Sequence, residues 1–368
     1  MNSLIKTFQG KTVVVTGHTG FKGSWLSLWL SHLGANVIGI SNTIPTDPSN
    51  FIASELSNKI IDKRIDITDF KKLNLLIDEY QPDFIFHLAA QSLVKTSYDT
   101  PLSTIKTNTI GSINVLEILR NYKKQIVVIM ITSDKVYHNL EIEHAYSEND
   151  ILGGKDPYSA SKSMIEIAIN AYFSSYFNNN FNKVRIGIAR AGNVIGGGDW
   201  AINRIVPDCM KAWSNNKTVD IRYPKSTRPW QHVLEPLSGY LAFADNLSRS
   251  NEIHGESFNF GPSNDQNHTV TELIQEMSKS WSSVKWRDIS KSYNHLHEAS
   301  LLQLNCEKAN KFLKWRPTLL FEETVSLTVD WYKNYYSNQT NSMSELSLKQ
   351  IKEYSSLALN RSINWAQQ

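Results

Sequence analysis

Residues 11–33 read Lys11-Thr-Val-Val-Val-Thr-Gly-His-Thr-Gly-Phe-Lys-Gly-Ser-Trp-Leu-Ser-Leu-Trp-Leu-Ser-His-Leu33. The run Lys11–Thr16 is β-branched and apolar on both faces, which predicts a strand buried in a parallel sheet. Gly17, Gly20 and Gly23 follow at once. Trp25, Leu26, Leu28, Trp29, Leu30 and Leu33 then form a helical apolar stripe, and Gly34 supplies its C-cap. A glycine turn between strand and helix is the context in which such a turn holds a pyrophosphate. Gly17 permits the tight turn, Gly20 lets backbone amides approach, and the helix amino end adds a favourable dipole. Lys22 places a positive charge in the same loop.

The alternation continues outward from this unit. Ala35–Ile40 reads as a second strand, followed by a helix near Thr68–Tyr80, a strand at Phe84–Leu88, a helix near Thr104–Asn121 and a strand at Gln125–Thr132. A helix near Tyr158–Phe177 and a strand at Lys183–Ala189 complete the series. Repeated βα punctuation predicts an α/β fold, a Rossmann-type doubly wound parallel sheet with a smaller C-terminal substrate-binding lobe. Residues 1–192 form the dinucleotide domain, with a return segment near 230–255. The lobe takes 193–229 and 256–336, where Gly196-Gly-Gly-Asp-Trp200 and Thr227-Arg-Pro-Trp-Gln-His232 mark loops over the carboxyl ends of the strands. Residues 337–368 read as a polar tail with a peripheral helix around Glu345–Leu357 and no chemistry of its own.

At 368 residues, 41% hydrophobic and 20% charged, the chain has ordinary globular usage,. A net charge of +3, from scattered Lys and Arg, argues against a nucleic-acid track,. Cys209 and Cys306 lack metal-like neighbours, so no disulfide framework or metal site is expected, and a reducing, cytoplasmic setting fits. His18, alone in its loop, has no partner at ligand spacing. The start of the chain lacks a signal-like apolar core and the run Ile126–Ile131 is far short of a bilayer span, so no membrane partner is expected.

Pro157-Tyr-Ser-Ala-Ser-Lys162 puts Tyr158 and Lys162 on one face of a helix that opens after a Gly/Asp/Pro loop. A lysine ammonium lowers the pKa of a nearby phenol, so that the phenolate can take a proton from an alcohol as hydride leaves for a nicotinamide. Asp134 and Lys135 follow the apolar run Ile126–Ile131, at the carboxyl end of a strand, where ligands bind in open α/β sheets. The second strand ends Ile40-Ser-Asn-Thr43, without the acid that usually meets a ribose 2′-hydroxyl and without an arginine for a 2′-phosphate; NAD is the favoured cofactor.

Through Gly17, Gly20 and Gly23, His87-Leu-Ala-Ala-Gln91, Asn108 and the Tyr158/Lys162 pair, the chain resembles the extended short-chain dehydrogenase/reductase superfamily. Thr132-Ser-Asp-Lys-Val-Tyr137 stands where its nucleotide-sugar 4,6-dehydratases carry a hydroxyl and an acid–base pair. Arg190–Trp200 and Arg228–Pro236 extend the likeness over most of the chain, and Lys135 in place of Glu is as in the CDP-sugar branch, although the ending Val136-Tyr-His-Asn139 differs slightly.

This resemblance implies that Tyr158 takes the C4 hydroxyl proton, Lys135 takes the C5 proton, Asp134 assists loss of the C6 hydroxyl and Ser133 holds the C4 oxygen, with Lys162 beside Tyr158. It implies that Gly17, Thr19, Gly20, Phe21, Lys22 and Gly23 hold NAD together with Asp66, Ile67, Leu88, Ala89, Ala90, Asn108 and Thr132. Gln91, Asn193, Arg204, Arg228 and His232 would hold the nucleotide sugar, with Trp200 or Trp230 beside the base. Members assemble through the two long helices at Thr104–Asn121 and Tyr158–Phe177, so a homodimer or homotetramer is expected. An epimerase, a dehydratase for another nucleotide sugar and a non-catalytic NAD-binding protein are the competing readings.

Overall fold

The structure, a computed structural model, describes residues 2–179, 183–263, 266–292, 302–337 and 342–367. The central sheet holds seven strands, most of them apolar runs: β1 (Thr12–Thr16), β2 (Asn36–Ser41), β3 (Ile61–Arg64), β4 (Phe84–His87), β5 (Ile126–Ile131), β6 (Val184–Ala191) and β7 (Ser257–Phe260). They form one sheet in the order β3-β2-β1-β4-β5-β6-β7, and every neighbouring pair is parallel. All six residues of β5 are buried, because helices cover both faces. The order reverses between β1 and β4, and the crevice outside their carboxyl ends is where such sheets bind ligands.

The crossover helices are α1 (Phe21–His32), α2 (Phe70–Tyr80), α3 (Gly111–Arg120) and α4 (Pro157–Tyr172). Ahead of α3 run a helical turn, Pro101–Ile105, and a π-helical turn, Lys106–Ile110; a second π-helical turn, Phe173–Phe177, extends α4. The start of α4 is written locally. The Asp156 side chain accepts from Ser159 N at 3.0 Å and Pro157 takes the first helical position, so Tyr158 falls in the first turn,.

The lobe contributes α5 (Ile205–Ser214), then α6 (Leu234–Arg249) returns beneath the sheet, and α7 (Val270–Ser278), α8 (Phe321–Ser337) and α9 (Met343–Asn360) follow. One apolar core joins α1, α6 and the C-terminal helices to one face of the sheet; a second lies beneath α2, α3 and α4 on the other.

Three elements depart from the sequence reading. β3, with the sequence Ile61-Asp-Lys-Arg64, is a partly exposed edge strand without apolar alternation, and so gave no strand signal,. β7 pairs with β6 and belongs to the central sheet, although its residues read as part of the lobe. The tail helix is not peripheral: Ile351 and Tyr354 of α9 are fully buried, and the Tyr354 ring meets Trp29 of α1 edge-on at 5.9 Å. Its apolar face is thin, but Met343, Ile351 and Tyr354 on it are large, and burial of one such residue contributes about 1.5–3 kcal/mol.

Candidate active site

At the carboxyl end of β1, Gly17 adopts φ +77° and donates its N–H to Ile40 O at 2.7 Å. A Cβ at Gly17 would stand 2.8 Å from Ala89 N, and one at Gly23 would stand 2.1 Å from Gly17 O. The turn and the start of α1 therefore close on each other only because both positions lack a side chain. Thr19 ties the turn to the end of β2 by donating to Thr43 O at 2.7 Å. Leu88 N and Ala89 N bond to the backbone oxygen and the hydroxyl of Thr16, and Ala90 is half-buried beside them. Ile67 is buried, whereas Asp66 is exposed and accepts from Thr68 N. An open backbone cradle with Phe21 and Gly20 at a helix amino end fits a dinucleotide pyrophosphate.

Lys22 falls in the first turn of α1 and is half-buried there. Burial pushes its pKa down to about 7, only partly offset by Asp134, and Arg204, Lys162 and Lys135 lower it further. His18 is also interior: its Nε2 meets Asp62 Oδ1 at 2.9 Å, and burial holds the ring below the usual histidine range.

Ser133, Asp134 and Lys135 leave β5 in a single 3₁₀ turn. The Ser133 hydroxyl donates to Asp134 Oδ1 at 2.9 Å, and Lys135 Nζ reaches the same oxygen at 3.4 Å. Tyr158 and Lys162 of α4 face this turn from the opposite wall. Burial raises the Tyr158 phenol, while Lys135, a Ser133 hydrogen bond and Arg204 pull it back and Asp134 pushes it up. For Lys135, burial favours the neutral amine, but Asp134 and Tyr158 more than offset it and hold the group above its ordinary value. Burial lowers Lys162 to about 8 against the pull of Glu166, and its Nζ donates to Ile131 O at 3.5 Å.

Asn108 sits in the π-helical turn before α3. Its amide donates to Gln91 O at 3.0 Å and Ser161 Oγ at 2.9 Å, fastening the loop after β4 to α4. The Gln91 side chain is engaged within its own neighbourhood: it donates to Leu93 O and Thr104 Oγ1 and accepts from Leu93 N. It shapes the loop rather than offering a free amide.

Arg204 reaches the same cleft, paired with Asp199 Oδ2 at 2.7 Å and close enough to Tyr158 to act on its charge. Arg228 stands near Lys135 and donates to Thr227 O at 2.8 Å. Asn193 is half-buried in the loop after β6. His232, by contrast, is fully buried with its ring edge toward Trp25 at 6.1 Å, and burial lowers it to about 3, so it is a neutral supporting residue under the cleft. Trp200 is equally committed, packed on Trp331 and Tyr335, and Trp230 donates to His268 O; neither ring is left for a base.

The sequence reading also missed residues behind the site. Glu166 lies one helical turn beyond Lys162, is fully buried, and accepts from Thr132 Oγ1 at 2.6 Å. Arg190 of β6 grips its carboxylate and reaches Tyr137. An arginine among the buried residues at the carboxyl end of β6, and an acid continuing the Tyr158/Lys162 face, were the available signals.

Among the described residues no group of three or more His, Cys, Asp or Glu side chains is placed to hold a metal ion. What collects at the crevice is cationic, with Lys22, Lys135, Lys162, Arg204 and Arg228 around Asp134, an arrangement suited to phosphate-bearing ligands.

A family model described as GDP-mannose 4,6 dehydratase matches residues 14–328. The CDP-glucose 4,6-dehydratase of Salmonella typhimurium is 44% identical over 354 residues, covering 95% of this chain and 97% of that protein. An epimerase structure from Methanothermobacter thermautotrophicus superposes with a TM-score of 0.76 at 25% identity, over 93% of this chain and 97% of the other. The dTDP-glucose 4,6-dehydratase of Bacillus anthracis, solved with NAD, shares the fold at 22% identity, with a TM-score of 0.72 over 88% of this chain and 97% of the other.

Proposed function

This chain belongs to the GDP-mannose 4,6 dehydratase family, and we propose that it removes water from a nucleotide-linked hexose across C5 and C6, with CDP-glucose as substrate and a CDP-4-keto-6-deoxy sugar as product. NAD, when bound, supplies the acceptor and later the donor of one hydride, so the net reaction is loss of water. Gly17, Gly20 and Gly23 would cradle its pyrophosphate, with Thr19, Phe21, Lys22, Ile67, Leu88, Ala89, Ala90, Asn108 and Thr132 around it and Asp66 at the outer end. Arg204, Arg228 and Asn193 would hold the diphosphate and nucleoside of the sugar.

The chain's own groups divide the proton work. Tyr158, whose phenol is raised by burial and pulled back by Lys135, Ser133 and Arg204, takes the C4 hydroxyl proton. The ketone then acidifies C5. Lys135 and Asp134 act on C5 and C6 as a pair that already shares one transferable proton. Moving it from Nζ to the carboxylate, 3.4 Å away, creates the amine that accepts the C5 proton and the acid that protonates the departing C6 hydroxyl. Closure of substrate over the pair removes water and favours this neutral form. Ser133 steadies the C4 oxygen.

The observation that carries the reading is the Ser133-Asp134-Lys135 turn facing Tyr158 and Lys162, since an epimerase needs only the latter two. Incubation of the purified protein with NAD and CDP-glucose, dTDP-glucose, UDP-glucose or UDP-N-acetylglucosamine, followed by mass spectrometry, tests it. Loss of one water from CDP-glucose is expected. Loss from another sugar would reassign the substrate, a mass-neutral conversion would favour an epimerase, and no conversion with tight NAD binding would favour a binding protein.

The protein is proposed to act as a homodimer or a dimer of dimers. Large apolar side chains stand exposed on adjacent helices, with Leu102 79% and Ile167 60% accessible, and Ile110, Met164 and Tyr176 nearby on the same two segments,.

A further inference from the structure

The acid–base turn is fastened on both flanks to one buried ion pair. On its leading side, Thr132 Oγ1 donates to Glu166 Oε1 at 2.6 Å. On its trailing side, the Tyr137 hydroxyl accepts from Arg190 Nη1 at 2.8 Å and donates to Asn259 Oδ1 at 2.7 Å. Glu166 and Arg190 close the bracket: Arg190 Nε lies 2.9 and 3.0 Å from the two carboxylate oxygens, and Nη2 adds a further contact. Ser163 Oγ also donates to Val136 O at 2.9 Å. Glu166, Arg190 and Tyr137 are buried, and none is used in the chemistry above.

A buried ion pair is weak as a source of stability, because desolvation of both charges offsets their attraction, and apolar side chains of equal volume would hold a strand to a helix as well. A bidentate arginine–carboxylate pair adds direction. Here the direction is used twice, once on each side of three consecutive residues. Tyr158, Lys162 and Glu166 are also spaced by four along α4, so the pair is referenced to the helix face that carries the phenol.

Resting on the dehydratase reading, we propose that Glu166 and Arg190 form a positioning pair which, through Thr132 and Tyr137, sets the Ser133-Asp134-Lys135 turn, and that water elimination depends on this setting more than the oxidation centred on Tyr158 does. The two half-reactions then lean on the bracket unequally: the phenol is fixed mainly by the helix start, the acid–base pair by Glu166 and Arg190.

Tyr137→Phe tests the trailing flank, since it removes the hydroxyl contacts and keeps the ring that stacks on Tyr146 with centroids 5.2 Å apart. In a single turnover with NAD and the nucleotide sugar, reduced-cofactor absorbance reports oxidation and mass spectrometry reports loss of water. We expect elimination to slow about tenfold, the scale of one lost hydrogen bond, while oxidation slows less, so that reduced cofactor accumulates. Arg190→Lys, which keeps a positive charge beside Glu166 but loses the fork that also reaches Tyr137, should shift the same ratio; this variant carries the test if Tyr137→Phe fails to fold. A merely structural role would lower thermal stability and leave the ratio unchanged, which overturns the inference alone. A wild-type protein that dehydrates none of the sugars overturns the dehydratase reading, and this inference with it.

Discussion

Lys135 and Asp134 are neighbours in sequence and an ion pair in space, 3.4 Å apart, so they are expected to act as a unit. Each is useless to elimination without the other's proton. Lys135→Met and Asp134→Asn are each expected to slow water loss about 10²–10⁴-fold, the range of a general acid–base contribution. The double variant should be little slower than either single one, because groups that act together are strongly non-additive. Rapid-quench mass spectrometry of the three proteins checks this, and fully multiplicative losses would separate the two roles. Because Lys135 is held above its ordinary value, the pair keeps its shared proton through neutrality. The elimination rate should therefore stay flat from about pH 6 to about pH 9 and fall only above it. A rate that climbs with pH in this window would mean that the amine forms by losing its proton to solvent. Tyr158→Phe, by contrast, should block the earlier oxidation, so that no reduced-cofactor absorbance develops. The placing of Tyr158 and Lys162 on one helix face and of Asp134 and Lys135 after a buried strand was legible in the sequence, while the roles proposed for them came from the family resemblance. Glu166 and Arg190 were not, since a buried ion pair joins residues of two elements and only the fold brings them together.

At the scale of elements, legibility followed burial. β1, β4 and β5 are built on buried apolar runs and were placed to within a residue or two, whereas β3, a charged edge, left no periodic signal,. The tail helix α9 was found but read as peripheral, because its contact with the rest of the chain is partly polar. Its Tyr354 hydroxyl donates to Glu235 at 2.8 Å, at the start of α6, and the same carboxylate accepts from Thr318 N and Leu319 N. Burial raises Glu235 from 4.5 to about 7 despite these bonds. A carboxyl whose folded pKa is raised stabilises fully below its unfolded value, and that contribution is lost as pH rises through the folded value. The wild-type protein should therefore lose thermal stability between about pH 5 and about pH 7.5, by about 3 kcal/mol. Glu235→Gln should melt at a nearly constant temperature across the same range. Thermal melts of both proteins at four or five pH values decide it, and parallel curves would show that Glu235 stays ionised in the fold.

For the whole molecule, net charge is a poor guide: a chain of +3 gathers five basic side chains at one crevice and leaves its outer helices apolar. The cleft needs no second chain for its charged groups, since Asp134, Lys135, Tyr158, Lys162 and Arg204 all come from this one. Its walls, however, stand on the helices whose outer faces carry Leu102 and Ile167. Association through those faces would stiffen α4 from outside while Glu166 and Arg190 hold it from within. Replacing both Leu102 and Ile167 with Glu should then reduce the mass seen by light scattering from about twice to about one times the 41.9 kDa chain, because like charges facing each other across a two-fold contact repel. The monomer should still lose water from the sugar, since its reacting groups are complete. It should also melt at a lower temperature, with the amides of α4 exchanging hydrogen faster. An unchanged mass would place the contact on another face. A monomer with α4 protected as before would show that the helix owes its rigidity to the buried bracket alone.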